Sequence, residues 1–279
     1  MVNQKMDNGS SYEKFWFTPE SQDATEMAVT DWIEELEDLP YDKLRDVYST
    51  KYEKRMFCSE CYCAPLHMVR STKNKIFLRT YDKHKHTERC SHRYPKLGKK
   101  AVKELITRLS DNDLQKKLEA GISLCTIDKK KKRSVENSEN GKIEDNPLLV
   151  TVQTNGGYST KSFPRRSINF IGRVEDDSIM LLYGNVRIEV LEWGENSYLH
   201  AKRLKDGHLL LSIKITSKVK RYLREKYDMI DKALNEKVQI NVHLAVICSI
   251  WRNEKNGRIF YNTTLRGSQY ILLKEHKTE

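Results

Sequence analysis

The chain has 279 residues, of which 38% are hydrophobic and 32% charged, with a formal net charge of +11. That length accommodates two domains, or one domain with appendages. No run approaches the roughly 18 apolar residues of a membrane span. Six cysteines in a chain this long are too few for a disulfide scaffold, so a reducing cytoplasm is the expected setting and a membrane is not an expected partner.

The charge is unevenly spread. Residues 1–50 carry 4 basic and 12 acidic groups, residues 51–135 carry 23 and 9, and residues 136–279 carry 23 and 18. The middle block alone is therefore at +14, which points to a polyanionic partner, most often nucleic acid.

Residues 1–50 read as an acidic N-terminal segment. Its opening, MVNQKMDNGSSYEKFWF, lacks a basic start followed by an apolar stretch, so no secretory signal is expected. Met27, Trp32, Ile33 and Leu36 recur at helical spacing and predict a helix over Thr25–Leu39. Leu44 and Val47 predict a second short helix over Tyr41–Tyr48.

Residues 51–127 read as a zinc module with following helices. Cys58 and Cys61 form a C-x2-C pair, and after 24 residues His86 and Cys90 form H-x3-C. Thiolates and imidazole in two short pairs are what a closed tetrahedral Zn2+ site takes. Cys63, His67, His84 and His92 lie close by, so the fourth ligand stays open among His84, His86, Cys63 and His92. Two or three available thiolates favour a closed structural site over a catalytic zinc, which keeps an open position. The flanks do not form the strand-to-helix setting of a redox C-x2-C pair. Between the pairs, Met68–Arg70 and Lys75–Thr80 read as a hairpin around Thr72-Lys73-Asn74, giving a zinc-ribbon or treble-clef layout. Lys99–Ala120 reads as one helix, or two split near Ser110, with Asp111 as N-cap of the second.

Residues 128–147 read as a charged linker. Its Lys129, Lys130, Lys131 and Lys132, followed by Arg133, resemble a nuclear-localisation patch, but in a linker such a run is more often a solubilising or phosphate-contacting segment. From residue 148 to 279 the texture is β. Strand-like runs fall at Ile168–Val174, Ser178–Tyr183, Val186–Trp193, Tyr198–Leu204 and His208–Ile215. A helix follows, capped by Thr216 or Ser217 and running to about Glu236. Val238–Ile250 alternates strictly over seven apolar positions, a turn falls at Asn253–Gly257, and Arg258–Leu265 and Tyr270–Leu273 complete the set. The expected fold is α+β: a zinc-ribbon-like module with flanking helices, then a mainly β domain. One helix within a strand series resembles an OB-type barrel.

Such barrels hold single strands with a basic groove and exposed aromatics. The candidates are Phe163, Phe170, Tyr183, Trp193, Tyr198, Trp251, Phe260, Tyr261 and Tyr270, with Arg252 beside Trp251 and the twin Arg165 and Arg166 near Phe163. No phosphate-binding G-x-x-x-x-G-K, H-E-x-x-H or G-x-S-x-G is present. The Pro-Cys-x-x-Cys element of a zinc deaminase is also missing, since Phe57 precedes Cys58. No catalytic residue is therefore assigned.

The stretches FCSEC and IFLRTYDKHKHTERCSHR resemble the N-terminal zinc module of competence CoiA-like bacterial proteins and related mobile-element proteins. In that resemblance Cys58, Cys61, His86 and Cys90 match the metal positions, and Phe77-Leu78-Arg79 match the strand before them. It covers about 40 of the 279 residues. Tyr62 departs from it, standing where a small residue is usual, and the family's nuclease-like core is not evident downstream. The resemblance implies a bacterial DNA-handling context. The functional expectation is a non-enzymatic nucleic-acid-binding protein with a structural Zn2+, favouring single-stranded DNA, with RNA as the alternative ligand. A CoiA-like nuclease and a protein-interaction adaptor in phage defence or counter-defence are the competing readings.

Overall fold

A computed structural model of the chain describes residues 12–19, 24–37, 39–71, 76–125, 146–154, 156–174, 176–194, 196–236, 238–265 and 267–276. Lys129 to Lys132, the hairpin turn at Thr72–Asn74 and most of the expected linker lie outside them. The chain divides into two compact units. The first takes Met1–Pro95, Ile127–Leu149 and Gln153–Thr160, and the second takes Lys96–Thr126, Val150–Val152 and Lys161–Glu279.

In the first unit β1 (Lys14–Phe17) lies between β2 (Thr25–Ala28) and β3 (Met56–Cys58), all antiparallel. The helix expected over Thr25–Leu39 is thus shorter: Thr25–Ala28 is strand, and helix α1 covers Val29–Glu37. Pairing with Lys14–Phe17, distant in local sequence, overrides the helical spacing there. Helix α2 (Tyr41–Val47) continues into a wider helical turn at Tyr48–Tyr52. β4 (Leu66–Arg70) and β5 (Ile76–Thr80) form the expected hairpin. The core is aromatic. Phe15 and Tyr52 each set an edge toward Trp32, at centroid distances of 5.7 and 6.1 Å. Phe15, Trp32 and Tyr52 are fully buried.

In the second unit helix α3 (Lys99–Ile106) and helix α4 (Asp111–Cys125) are separate. Ser110, not Asp111, caps α4: its Oγ accepts from the Asp113 N–H at 3.2 Å and donates to the Asp113 carboxylate at 2.6 Å. β6 (Leu149–Thr154) and β7 (Gly157–Ser162) form a ribbon whose residues are divided between the two units. The main sheet contains β8 (Arg165–Ser167), β9 (Ile179–Trp193), β10 (Asn196–Arg203), β11 (Leu209–Ile215), β12 (Ile240–Ser249), β13 (Trp251–Lys255), β14 (Arg258–Thr264) and β15 (Ile271–Glu275). Between β11 and β12 come α5 (Ser217–Lys226) and α6 (Asp228–Asn235), with the Thr216 hydroxyl accepting from the Val219 N–H as N-cap.

Three expectations change here. Ile168–Arg173 is a 3-10 segment rather than a strand. It follows β8 immediately, and Ile168 packs onto Gly184, where a Cβ would come within 2.6 Å of its Cγ2. The runs Ser178–Tyr183 and Val186–Trp193 are one 15-residue strand, β9, because Gly184 and Asn185 stay in register with Leu244 and His243. The helices of 99–125 belong with the β unit, not with residues 51–95. Leu114, Leu118 and Ile122 of α4 are buried, and Gly121 lets α4 lie close on the sheet, where a Cβ would sit 3.1 Å from the Ala245 Cβ.

The strand order is β13-β14-β11-β10-β9-β12-β15, with β8 parallel to β9. β11 and β14 pair in parallel, and the other neighbours are antiparallel. β12 and β13 are separated only by Ile250, so one continuous stretch pairs with β9 at its start and β14 at its end. The sheet therefore returns on itself. Leu182, Val186, Ile188 and Val190 of β9 point inward with Leu199, Ile213, Val242 and Leu244, and Leu223 and Ile230 of α5 and α6 join this core. The other side of β12 is buried too: His243, Ala245 and Ile247 are covered. A strand sequence alternating in pattern is thus buried on both faces, one by the core and one by α3 and α4.

Candidate functional sites

Two short turns bring Cys58, Cys61, His86 and Cys90 together. Their donor atoms all lie within 4.8 Å of one another. The Cys58 and Cys90 sulfurs are 3.8 Å apart, and His86 Nδ1 is 3.3 Å from the Cys61 sulfur and 3.2 Å from that of Cys90. Cys58 and Cys61 flank a tight turn, in which the Tyr62 N–H donates to the Cys58 carbonyl at 2.8 Å. Tyr62 has φ 57°, in the left-handed region, and its ring meets Trp16 edge-on at 5.1 Å. That ring contact explains a bulky residue where the turn conformation favours a glycine.

Other side chains fix the cluster. Tyr12 Oη lies 2.9 Å from His86 Nε2, which leaves Nδ1 for the cluster and sets the ring orientation. Tyr12 also stacks on His92 at 4.4 Å. Glu60 joins the two turns: its carboxylate accepts from the Ser91 N–H and hydroxyl, both at 2.7 Å, and from Asn146 Nδ2 at 2.8 Å. Arg93 donates to the His86 carbonyl at 3.1 Å. Of the open candidates, His86 is the one whose ring nitrogen lies among the three sulfurs, within the described residues. Cys63 and His84 are exposed, His92 faces Glu60 at 3.7 Å, and His67 stacks on Tyr81.

The thiols of the cluster ionise unequally. Burial pushes the Cys58 thiol up, and hydrogen bonding to Cys58 and Cys61 pushes Cys90 up, while hydrogen bonds from Cys58 and Cys90 pull Cys61 down. Burial first, then the neighbouring cysteines, raises the Tyr12 hydroxyl as well. Without a cation the upward shifts keep Cys58 and Cys90 as neutral thiols; all three cysteines can be thiolates in this dry space only around a positive charge. No cysteine of the chain is in a disulfide. The cluster, closed on all four corners by protein, can hold a metal ion.

The main sheet presents a second feature. α3 and α4 cover the outer side of β9 at its start, of β12 and of β15, with the Asn185 side chain donating to the Cys125 carbonyl at 3.1 Å. The outer side of the later half of β9 and of β10, β11, β14 and β13 carries no such cover among the described residues. Register places these side chains there in rows. Leu191, Tyr198 and Lys214 form one row; Glu189, His200 and Ser212 form the next; Asn262 and Trp251 continue beside Ser212. Phe260 and Asn253 form another pair, and Arg258 and Lys255 the last, at the tip of the β13–β14 hairpin. Trp193 is 81% exposed and Trp251 41%. Glu189 is held below the usual carboxylate range chiefly by Lys202, at 2.8 Å. The hairpin turn, Asn256 at φ 53° and Gly257 at φ 71°, has the two positive angles of a type I′ turn.

The sequence-derived contact residues divide on this map. Trp251 lies on the uncovered face. Arg252 and Tyr261 point to the opposite side: Arg252 pairs with Asp176 at 3.3 Å, and the Tyr261 ring packs against the core. Arg165 is 9% exposed and Arg166 half-buried, both on β8. Phe163 and Tyr183 are core residues. Lys255, Arg258 and Lys214 were missed. Their signal was parity: they share alternation phase with Trp251, Phe260 and Tyr198 once register is known.

No family model matches the chain, and no curated protein matches it. Among the described residues no helix is long and apolar enough to cross a membrane.

Proposed function

We propose that this is a single-strand nucleic-acid-binding protein in which a structural zinc ion organises the first unit and an OB-like barrel supplies the binding face. Zinc is supported by the donor set and its dimensions. A tetrahedron with Zn–S of about 2.3 Å has an S···S edge of about 3.8 Å, and the Cys58–Cys90 separation is 3.8 Å. Three sulfurs and one nitrogen, all from protein, leave no position for a reacting water.

The OB-like reading rests on connectivity. β9, β10, β11, β12 and β14 follow the five-strand order of that barrel: antiparallel neighbours, a parallel pairing between third and fifth, and a helix between third and fourth. The observation that carries the binding function is the uncovered face. It bears Trp193, Tyr198, Trp251 and Phe260 together with Lys202, Lys214, Lys255 and Arg258. Exposed aromatics interleaved with cations bind unpaired bases and phosphates. Lys255 and Arg258 are directly opposite each other. Like charges in that position destabilise a hairpin unless an anion lies between them. All five residues of β13 are exposed, so the hairpin projects as a grip with solvent on both sides. The resemblance of residues 57–93 to CoiA-like modules points toward DNA rather than RNA.

Binding of a labelled oligothymidine by the full chain, followed by fluorescence anisotropy across salt concentrations, tests this. Affinity should fall steeply with salt. Trp251→Ala should weaken binding by about 1–3 kcal/mol with little change in salt slope. Lys255→Glu with Arg258→Glu should flatten the slope by about two phosphate contacts. Absence of binding to both single-stranded DNA and RNA at about 50 mM salt would overturn the reading, and metal-dependent cleavage of the probe would favour the nuclease.

A further inference from the structure

The β4–β5 hairpin of the first unit has a second, unexplained face. Leu66, Met68, Ile76 and Leu78 point one way, and Leu66, Ile76 and Leu78 are buried. The opposite face carries His67 beside Arg79 and Val69 beside Phe77. His67, Val69 and Phe77 are half-buried there, and Arg79 is exposed. Tyr81 follows directly. It is 74% exposed, yet its ring is fixed: it stacks on the His67 imidazole at 3.7 Å between centroids and 18° between planes.

That stack is the informative feature. An exposed tyrosine ordinarily samples several rotamers, and a ligand must immobilise it. Here His67 covers one face of the ring and leaves the other to solvent. Burial, then the charge of Arg79, keeps the imidazole below its usual pKa, so the support is a neutral ring. The result is a pre-oriented aromatic plate with one open side. Arg70, at the far end of β4, lies over the Tyr41 ring at 5.3 Å. The metal cluster needs none of these side chains. It uses His86 and three cysteines, and the hairpin's buried face is sufficient for packing.

Charge selects the occupant. Residues 66–93 contain eight arginines and lysines against two acids, Asp82 and Glu88. Lys83, His84 and Lys85 form an exposed turn just after Tyr81. An apolar protein partner has no use for that excess, whereas a chain of phosphates with unpaired bases matches both the cations and the plate.

We propose that this outer hairpin face is a second single-strand contact, separate from the barrel face, where one unpaired base stacks on the open side of Tyr81 and Arg79, Lys83 and Lys85 hold the adjoining phosphates. The proposal rests on the nucleic-acid reading of the barrel.

The test uses the full chain with its metal, an oligothymidine containing 5-iodouracil, and two readouts. In anisotropy, Tyr81→Ala should reduce affinity by roughly 5- to 150-fold, the range for loss of one base stack, and Tyr81→Phe should retain it. On irradiation, a crosslinked peptide should contain Tyr81. Zinc content is measured for each variant. Wild-type affinity in Tyr81→Ala overturns this second contact while leaving the barrel reading intact, provided that Trp251→Ala is still defective. Should Tyr81→Ala lose zinc, the crosslink decides: its absence from the Tyr81 peptide in the wild-type protein overturns the proposal. Failure of the wild-type protein to bind the probe overturns both readings. Capture of a protein by this face, with no crosslink to the oligonucleotide, would make it a protein-docking surface instead.

Discussion

The two units solve the same problem by different means. The second unit has a continuous apolar core. Strands β9 to β12 and helices α5 and α6 contribute buried aliphatic side chains to one cluster. The first unit has a compact group of aromatics and, beside it, a cluster of buried sulfurs and one imidazole. Buried thiols contribute little apolar area and repel one another once ionised. An ion held by those four side chains would supply much of the folding free energy of so small a unit. The first unit is therefore vulnerable to loss of a ligand, and the second to loss of covering surface.

The largest expected effect breaks the first unit and spares the second. Zinc binding in such modules contributes on the order of 10 kcal/mol to folding. Chelation, or Cys58→Ser or Cys90→Ser, should therefore remove the metal and hydrogen-exchange protection across β1, β3, β4 and β5. Protection in β9 and β12 should persist. Protein purified without chelators should contain one zinc per chain by elemental analysis. Equal loss of protection in both units would show that they fold as one.

The next effect concerns the boundary of the second unit. A chain starting at residue 148 lacks α4 and exposes Leu181, Ala245 and Ile247. Loss of Leu114, Leu118 and Ile122 removes several core-sized contacts, each worth about 2–5 kcal/mol, against a total stability of about 5–15 kcal/mol. That chain should aggregate or unfold. One starting at Lys96 should show a single cooperative denaturant transition. A stable, cooperative 148–279 fragment would mean that α4 is an accessory.

The smallest effect sharpens the comparison through pH. Lys117 on α4 is 5% exposed, with its ammonium 5.2 Å from the Phe163 ring centre. Burial pushes it from 10.5 down to about 8, partly opposed by Asp113. Between those values the unfolded chain holds a proton that the folded chain lacks. Stability of the second unit should therefore rise as pH increases from about 8 to about 10.5, by up to about 3 kcal/mol. Lys117→Met should abolish this rise relative to wild type. An unchanged slope in denaturant titrations would show that Lys117 stays charged.

Much of the metal site was legible in one dimension, because ligand pairs at short spacing on tight turns are local. Cys58-x2-Cys61 and His86-x3-Cys90 could be read directly, and so could the hairpin between them, whose alternation needs only neighbouring residues. The choice of His86 over His84 was not legible. Residues two apart sit on nearly the same stretch of chain, and the decision came from Tyr12, 74 residues away, whose hydroxyl meets His86 Nε2.

In the β unit, local chemistry set which residues are apolar, their period of two in β12, and the Thr216 cap. Only the tertiary structure decided what covers each strand face and which face Trp251, Arg252 and Tyr261 occupy. Strand parity identifies two faces but does not name the inner one. That assignment depends on partners far along the chain: α4 over one half of the sheet, and β14 returning in parallel beside β11. For the same reason Thr25–Ala28, helical by its own spacing, became a strand once Lys14–Phe17 offered it an edge.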